Sequence, residues 1–270
     1  MTLARPDLAE QALEGVLRAD AYRAPVIMQC TAPATAVRTQ PGPKGAQEDQ
    51  LIFGELFDVL ETADGWAWGR ARRDGYVGHV ALEALSPSVL TPTHRVSAIR
   101  TYAYAEPDFR AGPAALLSLN ALVTEEGRDG RFVRAGRLGW IAEQHLSNFV
   151  DFDRDPVAVA ERFLGAPYQW GGRESLGLDC SGLVQQALYA CGRGCPRDAD
   201  QQAEALGAVV DGPARRGDLV FWKGHVGWMV DEARVLHANS SGMAVAVEPL
   251  AEVAQRQQAS GGGPAQFRRL

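Results

Sequence analysis

Leu178-Asp179-Cys180-Ser181-Gly182-Leu183-Val184-Gln185-Gln186-Ala187-Leu188 sets a single cysteine where a glycine-rich loop meets a helix. Leu183, Val184, Ala187, Leu188 and Cys191 follow a helical spacing with one buried face. Gly192 and Gly194 end the run. Asp179 falls at the N-cap position and Cys180 in the first turn. Unpaired backbone N–H groups and the helix dipole favour the nucleophilic thiolate at such a position. Cys191, at the other end of the same pattern, reads as core.

The surroundings of this helix predict an α+β unit. Asp151-Phe152-Asp153-Arg154-Asp155-Pro156 is a polar joint, and Val157, Val159, Ala160, Phe163 and Leu164 then follow helical spacing up to Gly165-Ala166-Pro167. Ala199 to Leu206 reads as another short helix. Four strands follow, in Gly217–Trp222, His225–Val230, Val235–Ala238 and Ala244–Val247. Helices first and a meander of strands after is the α+β order.

Two histidines fall inside that meander. His225 begins one strand and His237 ends the next, 12 residues on, which suits antiparallel neighbours joined by the Asp231-Glu232 turn. Cross-strand neighbours can bring two imidazoles within hydrogen-bond reach. If the cysteine helix packs on this sheet, a Cys–His–His line follows, in which the base takes the thiol proton and the third group orients the base. A cysteine with two histidines could instead bind zinc, with Asp218 as a further ligand. The lone cysteine at a helix N-terminus favours the catalytic line, and no metal or cofactor is expected.

The first half of the chain carries β signals. Leu51 to Leu60 is β-rich with a glycine, Asp64-Gly65 is a hairpin turn signal, and Trp66-Ala67-Trp68 alternates after it. Short strands over residues 26–87 predict a small β-barrel. Pro87 and Pro92 mark a linker. Gly75-Tyr76-Val77-Gly78-His79-Val80 then recurs 61 residues later as Gly136-Arg137-Leu138-Gly139-Trp140-Ile141, and Asp64-Gly65 recurs as Asp129-Gly130. The repeat predicts a second barrel over 92–149. Tyr76 faces Arg137 in this comparison, so the tyrosine is not needed for the barrel. It is a surface aromatic or a ligand contact. Residues 1–25, with Leu8, Ala12, Leu13, Val16 and Leu17, predict a helical lead-in.

Composition bounds the partners. The 270 residues carry a formal net charge of −6 and 46% hydrophobic residues, an ordinary globular balance. The acidic excess argues against nucleic acid and anionic membranes. The four cysteines form no paired CxxC set and no disulfide framework, which fits a reducing compartment. The N-terminus shows no basic stretch followed by an apolar run, so the expected location is cytoplasmic.

Several motifs carry a resemblance. The two β copies, with their "DGW…GYVG(W/H)V…L" ending, resemble bacterial SH3 domains. Tyr168-Gln169-Trp170-Gly171-Gly172-Arg173 leading into Asp179-Cys180-Ser181-Gly182 looks like the start of an NlpC/P60 cysteine peptidase domain. Pro196-Arg197-Asp198-Ala199-Asp200-Gln201-Gln202, Gly217-Asp218-Leu219-Val220-Phe221, His225-Val226-Gly227 and Leu236-His237-Ala238 follow in the family's order, so that the resemblance covers residues 150–270. With the SH3-like copies in front, the whole chain is similar to the γ-D-glutamyl-L-diamino-acid endopeptidases, the dipeptidyl-peptidase VI group.

The resemblance implies a papain-like fold and cleavage of the bond between D-Glu and a diamino acid, usually meso-diaminopimelate, in peptidoglycan stem peptides. It implies Cys180 as nucleophile, His225 as general base and His237 as orienting residue. It further implies recognition of a free N-terminal L-Ala by Asp179, Ser181, Tyr168 and Arg197, and by Tyr76 and Glu55 of the first SH3-like copy. Related enzymes often carry serine where this chain has Ala199. The expected substrate is a small muropeptide, L-Ala-γ-D-Glu-diaminopimelate, recycled in the cytoplasm. The alternative is a polymer-acting wall hydrolase whose SH3 copies bind the wall.

Overall fold

A computed structural model describes all 270 residues and divides them into two compact units, Met1–Phe149 and Val150–Leu270. In the first unit, the Asp64-Gly65 signal becomes a two-residue turn with both residues at positive φ, 49° and 80°. That geometry matches the twist of a hairpin, and it joins Leu56–Ala63 to Trp66–Ala71 with Ala63 opposite Trp66. Around this hairpin a seven-stranded antiparallel sheet runs in the order Gln47–Ile52, Ala34–Arg38, Val77–Ala81, Trp66–Ala71, Leu56–Ala63, Val26–Cys30, Leu85–Ser86. Val37, Leu51, Phe57, Val59, Ala67 and Val80 fill its core, and Tyr76 packs half-buried against them.

Residues 94–148 build two further sheets. One is three-stranded, Leu122–Val123, His94–Val96, Leu146–Asn148. The other is five-stranded, Pro113–Ser118, Arg100–Tyr104, Gly139–Ala142, Phe132–Ala135, Glu125–Asp129. The sequence repeat has a structural counterpart. The strands Val77–Ala81 and Gly139–Ala142 each run into a one-turn 3-10 helix, Leu82–Ala84 and Glu143–His145, with near-identical entry angles at Ala81 and Ala142.

The helical lead-in expected for residues 1–25 is not formed. Only Gln11–Leu13 makes a 3-10 turn, and Ala9–Glu10 pairs in parallel with Tyr22–Arg23. Leu3 and Leu8 share one small cluster with Leu60 and Trp68, whereas Val16 is 79% exposed. The apolar residues that suggested one helical face therefore do not share a buried face. With no common surface to pack on, a short helix lacks its main source of stability. Gly15 at φ 78° turns the chain away.

In the second unit the helices are α1 (Pro156–Glu161), α2 (Cys180–Ala190), α3 (Ala199–Ala205) and α4 (Leu250–Ala259). They pack with an antiparallel six-stranded sheet in the order Ala208–Val209, Gln266–Arg269, Leu219–Trp222, His225–Met229, Arg234–Asn239, Ala244–Pro249. All eleven residues of α2 are buried, Gln185 and Gln186 included. The expectation of one buried face was too narrow, because this helix runs through the interior of its unit, against α1 and the His225–Met229 strand. Cys191 is its half-buried C-cap rather than core. All four cysteines are free thiols. No helix is long and apolar enough to cross a membrane.

Candidate active site

Cys180 is the first residue of α2, and Asp179 is its N-cap. Asp179 Oδ1 accepts the Gly182 N–H at 2.8 Å, and Oδ2 accepts the Gly171 N–H at 2.8 Å from the preceding loop. One carboxylate thus ties the glycine-rich loop to the helix start. Gly182 is required for this closeness, since a Cβ there would stand 2.3 Å from the Gly172 carbonyl oxygen.

The same carboxylate pairs with Arg197 through two parallel bonds, Nη1 to Oδ1 at 3.0 Å and Nη2 to Oδ2 at 2.6 Å. Arg197 Nη1 also donates to Ser181 Oγ at 2.7 Å, and Ser181 Oγ donates to Asp179 Oδ1 at 3.3 Å. Asp179, Ser181 and Arg197 therefore come together beside the nucleophile as the sequence suggests. Their placement changes the role expected of Arg197, which is 1% exposed and gives its guanidinium to Asp179 and Ser181. It supports the helix start. Asp179 is likewise filled on both oxygens as cap and counterion.

Burial controls the protonation of Cys180. It pushes the thiol up to about 12, with the Asp179 charge adding to the rise. The backbone N–H groups of Val226 and Ser181 and the charge of Arg197 act in the opposite direction and do not overcome it. Burial outweighs the preference for thiolate that the helix position alone provides and favours the neutral thiol. The desolvation cost of a buried anion exceeds what a helix start returns. The Val226 bond also locates the sulfur, against the strand that begins with His225.

His225 is held on two sides. Its Nε2 lies 2.7 Å from His237 Nδ1, with the rings edge-on at 4.9 Å, and the Trp222 indole stacks on it at 5.9 Å. With Nε2 engaged by His237, Nδ1 is the other ring nitrogen of His225. Burial lowers the His225 imidazole to about 3, with a cationic His237 and Arg256 adding to the fall and Glu248 opposing it. His237 is also lowered, by burial first, against the opposing pull of Glu248. Burial thus favours the neutral forms of the thiol and of both imidazoles.

The two histidines meet on a diagonal. The pairs Trp228–Leu236 and Met229–Val235 set a register that puts His237 across from Gly227. A Cβ at Gly227 would stand 3.1 Å from His237 Cβ and 2.5 Å from Val235 Cγ2. The glycine is what lets His237 sit over this strand.

Tyr168 is half-buried. Its phenol is raised by burial first and then by interaction with Cys180 and Asp179, so it remains a protonated donor. Ala199 is the half-buried first residue of α3. Asp218, considered above as a zinc ligand, is paired with Arg269 at 2.7 Å and accepts the Arg215 N–H. Tyr76 and Glu55 belong to the other unit. There Glu55 is buried, accepts the Ile52 N–H at 3.0 Å and pairs with Arg73 at 3.4 Å.

Four residues near the site escaped the sequence reading. They are Trp222, Gly227, Glu248 and Arg256. Glu248 Oε2 lies 2.7 Å from His237 Nε2, and Arg256 Nη2 donates to the same oxygen at 2.8 Å. The available signal was the alternation Ala244-Val245-Ala246-Val247-Glu248. It puts Glu248 on the same strand face as Ala246, the residue opposite His237.

The comparisons with known proteins agree with this geometry. Residues 165–261 match the NlpC/P60 family, and residues 37–85 match the bacterial dipeptidyl-peptidase SH3 domain. The chain is 28% identical over 233 residues to a Bacillus subtilis (strain 168) protein named gamma-D-glutamyl-L-lysine dipeptidyl-peptidase, covering 76% of each. It is 33% identical over 126 residues to dipeptidyl-peptidase 6 of Lysinibacillus sphaericus, covering 43% of this chain and 46% of that one. A solved NlpC/P60 family protein from Bacillus cereus ATCC 10987 shares the fold, with a TM-score of 0.76 at 18% identity over 90% of this chain and 99% of that one. The chain thus carries an NlpC/P60 domain over residues 165–261, preceded by a bacterial dipeptidyl-peptidase SH3 domain over residues 37–85.

Proposed function

We propose that this chain is a cysteine endopeptidase that cuts the bond between the γ-carboxyl of D-Glu and the diamino acid in peptidoglycan stem peptides with a free N-terminal L-Ala. The reading is supported by Cys180 at the start of a buried helix, bonded to the N–H of Val226 next in sequence to His225, and by the His225–His237 pair at 2.7 Å. The name of the Bacillus subtilis relative supports the choice of bond. Because that name specifies lysine, lysine and meso-diaminopimelate are both candidates for the third residue. In this reading the catalytic unit is papain-like, residues 92–149 are a second SH3-like copy, and the substrate is a small muropeptide recycled in the cytoplasm.

The chemistry is acyl transfer through a thioester. His225 Nδ1 takes the Cys180 proton as the sulfur attacks the γ-carbonyl carbon, so the buried thiolate never stands uncompensated. The Cys180 backbone N–H and the Tyr168 hydroxyl donate to the oxyanion. The imidazolium then gives its proton to the leaving amine of the diamino acid. Water enters, His225 takes one of its protons, and the hydroxide attacks the thioester carbonyl. The sulfur leaves and recovers the proton from His225.

The preference for a free N-terminal amine rests on the resemblance alone. The test is mass spectrometry and kinetics on L-Ala-γ-D-Glu-meso-diaminopimelate, its L-lysine counterpart and the N-acylated versions, with Cys180→Ala as control. Recognition of the free amine predicts that acylation lowers kcat/KM by at least about a hundredfold. Equal rates would sink the free-terminus claim. Release of soluble peptides from intact sacculi would favour the polymer-acting reading.

A further inference from the structure

We propose that Glu248 is a positioning residue that holds a proton on Nε2 of both His237 and His225, so that His225 Nδ1 is left as the base. The inference rests on the reading of Cys180, His225 and His237 as a catalytic line. It assigns work to a carboxylate at the far end of that line.

The argument starts from one oxygen. Glu248 Oε2 lies 2.7 Å from His237 Nε2, 2.8 Å from Arg256 Nη2 and 3.1 Å from Asn239 Nδ2. Arg256 and the Asn239 amide nitrogen can only donate. An oxygen that receives both is an acceptor, and it has no proton to give His237. Burial alone would raise the Glu248 carboxyl, but the bonds from His237 and Arg256 outweigh it and hold the group below its usual range. His237 Nε2 must therefore carry hydrogen.

The rest follows by elimination along the chain of nitrogens. A neutral imidazole has one donor and one acceptor nitrogen. His237, 1% exposed and disfavoured as a cation by burial, then has its lone pair on Nδ1. His225 Nε2, 2.7 Å away, must donate to that lone pair. The lone pair of neutral His225 is thus on Nδ1. A ring flip would exchange the two nitrogens of His225, and the stacked Trp222 indole opposes it. The Asn239 amide nitrogen, 3.5 Å from His237 Nε2, could donate to a lone pair there and favour the opposite tautomer, and the closer Glu248 oxygen at 2.7 Å outweighs it.

The test uses the full chain. Histidine 15N shifts report the tautomers, and kcat and KM are measured on the cleaved tripeptide. The wild type should show neutral Nε2–H forms of His225 and His237. Glu248→Ala should give mixed tautomers and a kcat lower by about 10–100-fold, because the base nitrogen is then partly protonated. KM should stay within about twofold. Glu248→Gln is the rescue. Arg256 and Asn239 orient its amide oxygen toward His237, so the acceptor is kept, and tautomers and most of kcat should survive. A merely structural carboxylate would lower stability without moving the 15N shifts. Persistence of the Nε2–H forms in Glu248→Ala, or a Gln variant with the same mixed tautomers as the Ala variant, would overturn the proposal. If no stem peptide is cleaved by the wild type, the functional reading fails on its own, while the 15N shifts still decide the role of Glu248.

Discussion

Replacing Arg197 by methionine should loosen the start of the catalytic helix while leaving the cysteine in place. Arg197 and Asp179 are both buried, at 1% and 6% exposure, and bonded through two nitrogens and two oxygens. Methionine fills much of the volume and strands the carboxylate. Breaking a buried pair from one side costs about 3–5 kcal/mol. Here the N–H groups of Gly171 and Gly182 and the Ser181 hydroxyl still bond to Asp179, so the lower end, about 3 kcal/mol, is expected. Hydrogen exchange of the amides in Cys180–Ala190 reads this directly, and about 3 kcal/mol corresponds to opening more than about a hundredfold more often. The double variant Asp179→Asn, Arg197→Met removes the stranded charge, keeps a side-chain oxygen for capping and should recover more than half of the loss. A single variant that exchanges within about threefold of wild type, or a double variant worse than the sum of its parts, would refute the account of Asp179 as a buried counterion and cap.

Three other outcomes follow from the same geometry. Gly227→Ala drives a Cβ into Val235 and His237 and should cost about 1–3 kcal/mol with loss of turnover; an active variant of wild-type stability in urea unfolding would contradict the close approach. The iodoacetamide reaction of Cys180 should rise steadily with pH through the alkaline range, as burial holds the thiol near about 12; a plateau from pH 5 upward would mean a resting ion pair. His225 falls from 6.5 in the unfolded chain to about 3 in the fold, so between these values the unfolded state binds the extra proton. Its contribution is complete above pH 6.5 and is lost as pH falls toward about 3, with a slope approaching about 1.4 kcal/mol per pH unit. His225→Gln should flatten that part of the acid-unfolding profile, and an unchanged profile would disprove the linkage.

The place of Cys180 at a capped helix start was legible because its setting is local. A cap, a first turn and a periodic run lie within a dozen residues, and Asp179 caps α2 through Gly182 as the local pattern implies. The histidines were legible through strand length and a turn, which bring residues 12 apart onto adjacent strands. The bond from Arg197 to Asp179 was not legible. Whether an arginine faces a groove or a buried carboxylate depends on where α2 and the segment before α3 pack. The N-terminal segment misled for a related reason. Helical spacing over residues 8–17 states what a helix would bury, and no surface buries Val16.

By itself, the sequence determined which atoms could do chemistry and in what order the elements carry them, since caps, turns and periodicity act over a few residues. Only the tertiary structure decided their electrical state. Enclosing α2 on all sides makes the bare thiolate too costly, whatever the helix dipole offers. The strand register brings Glu248 to the back of His237. Both effects depend on distance and solvent exclusion between segments far apart in the chain, and these exist only once the fold has closed.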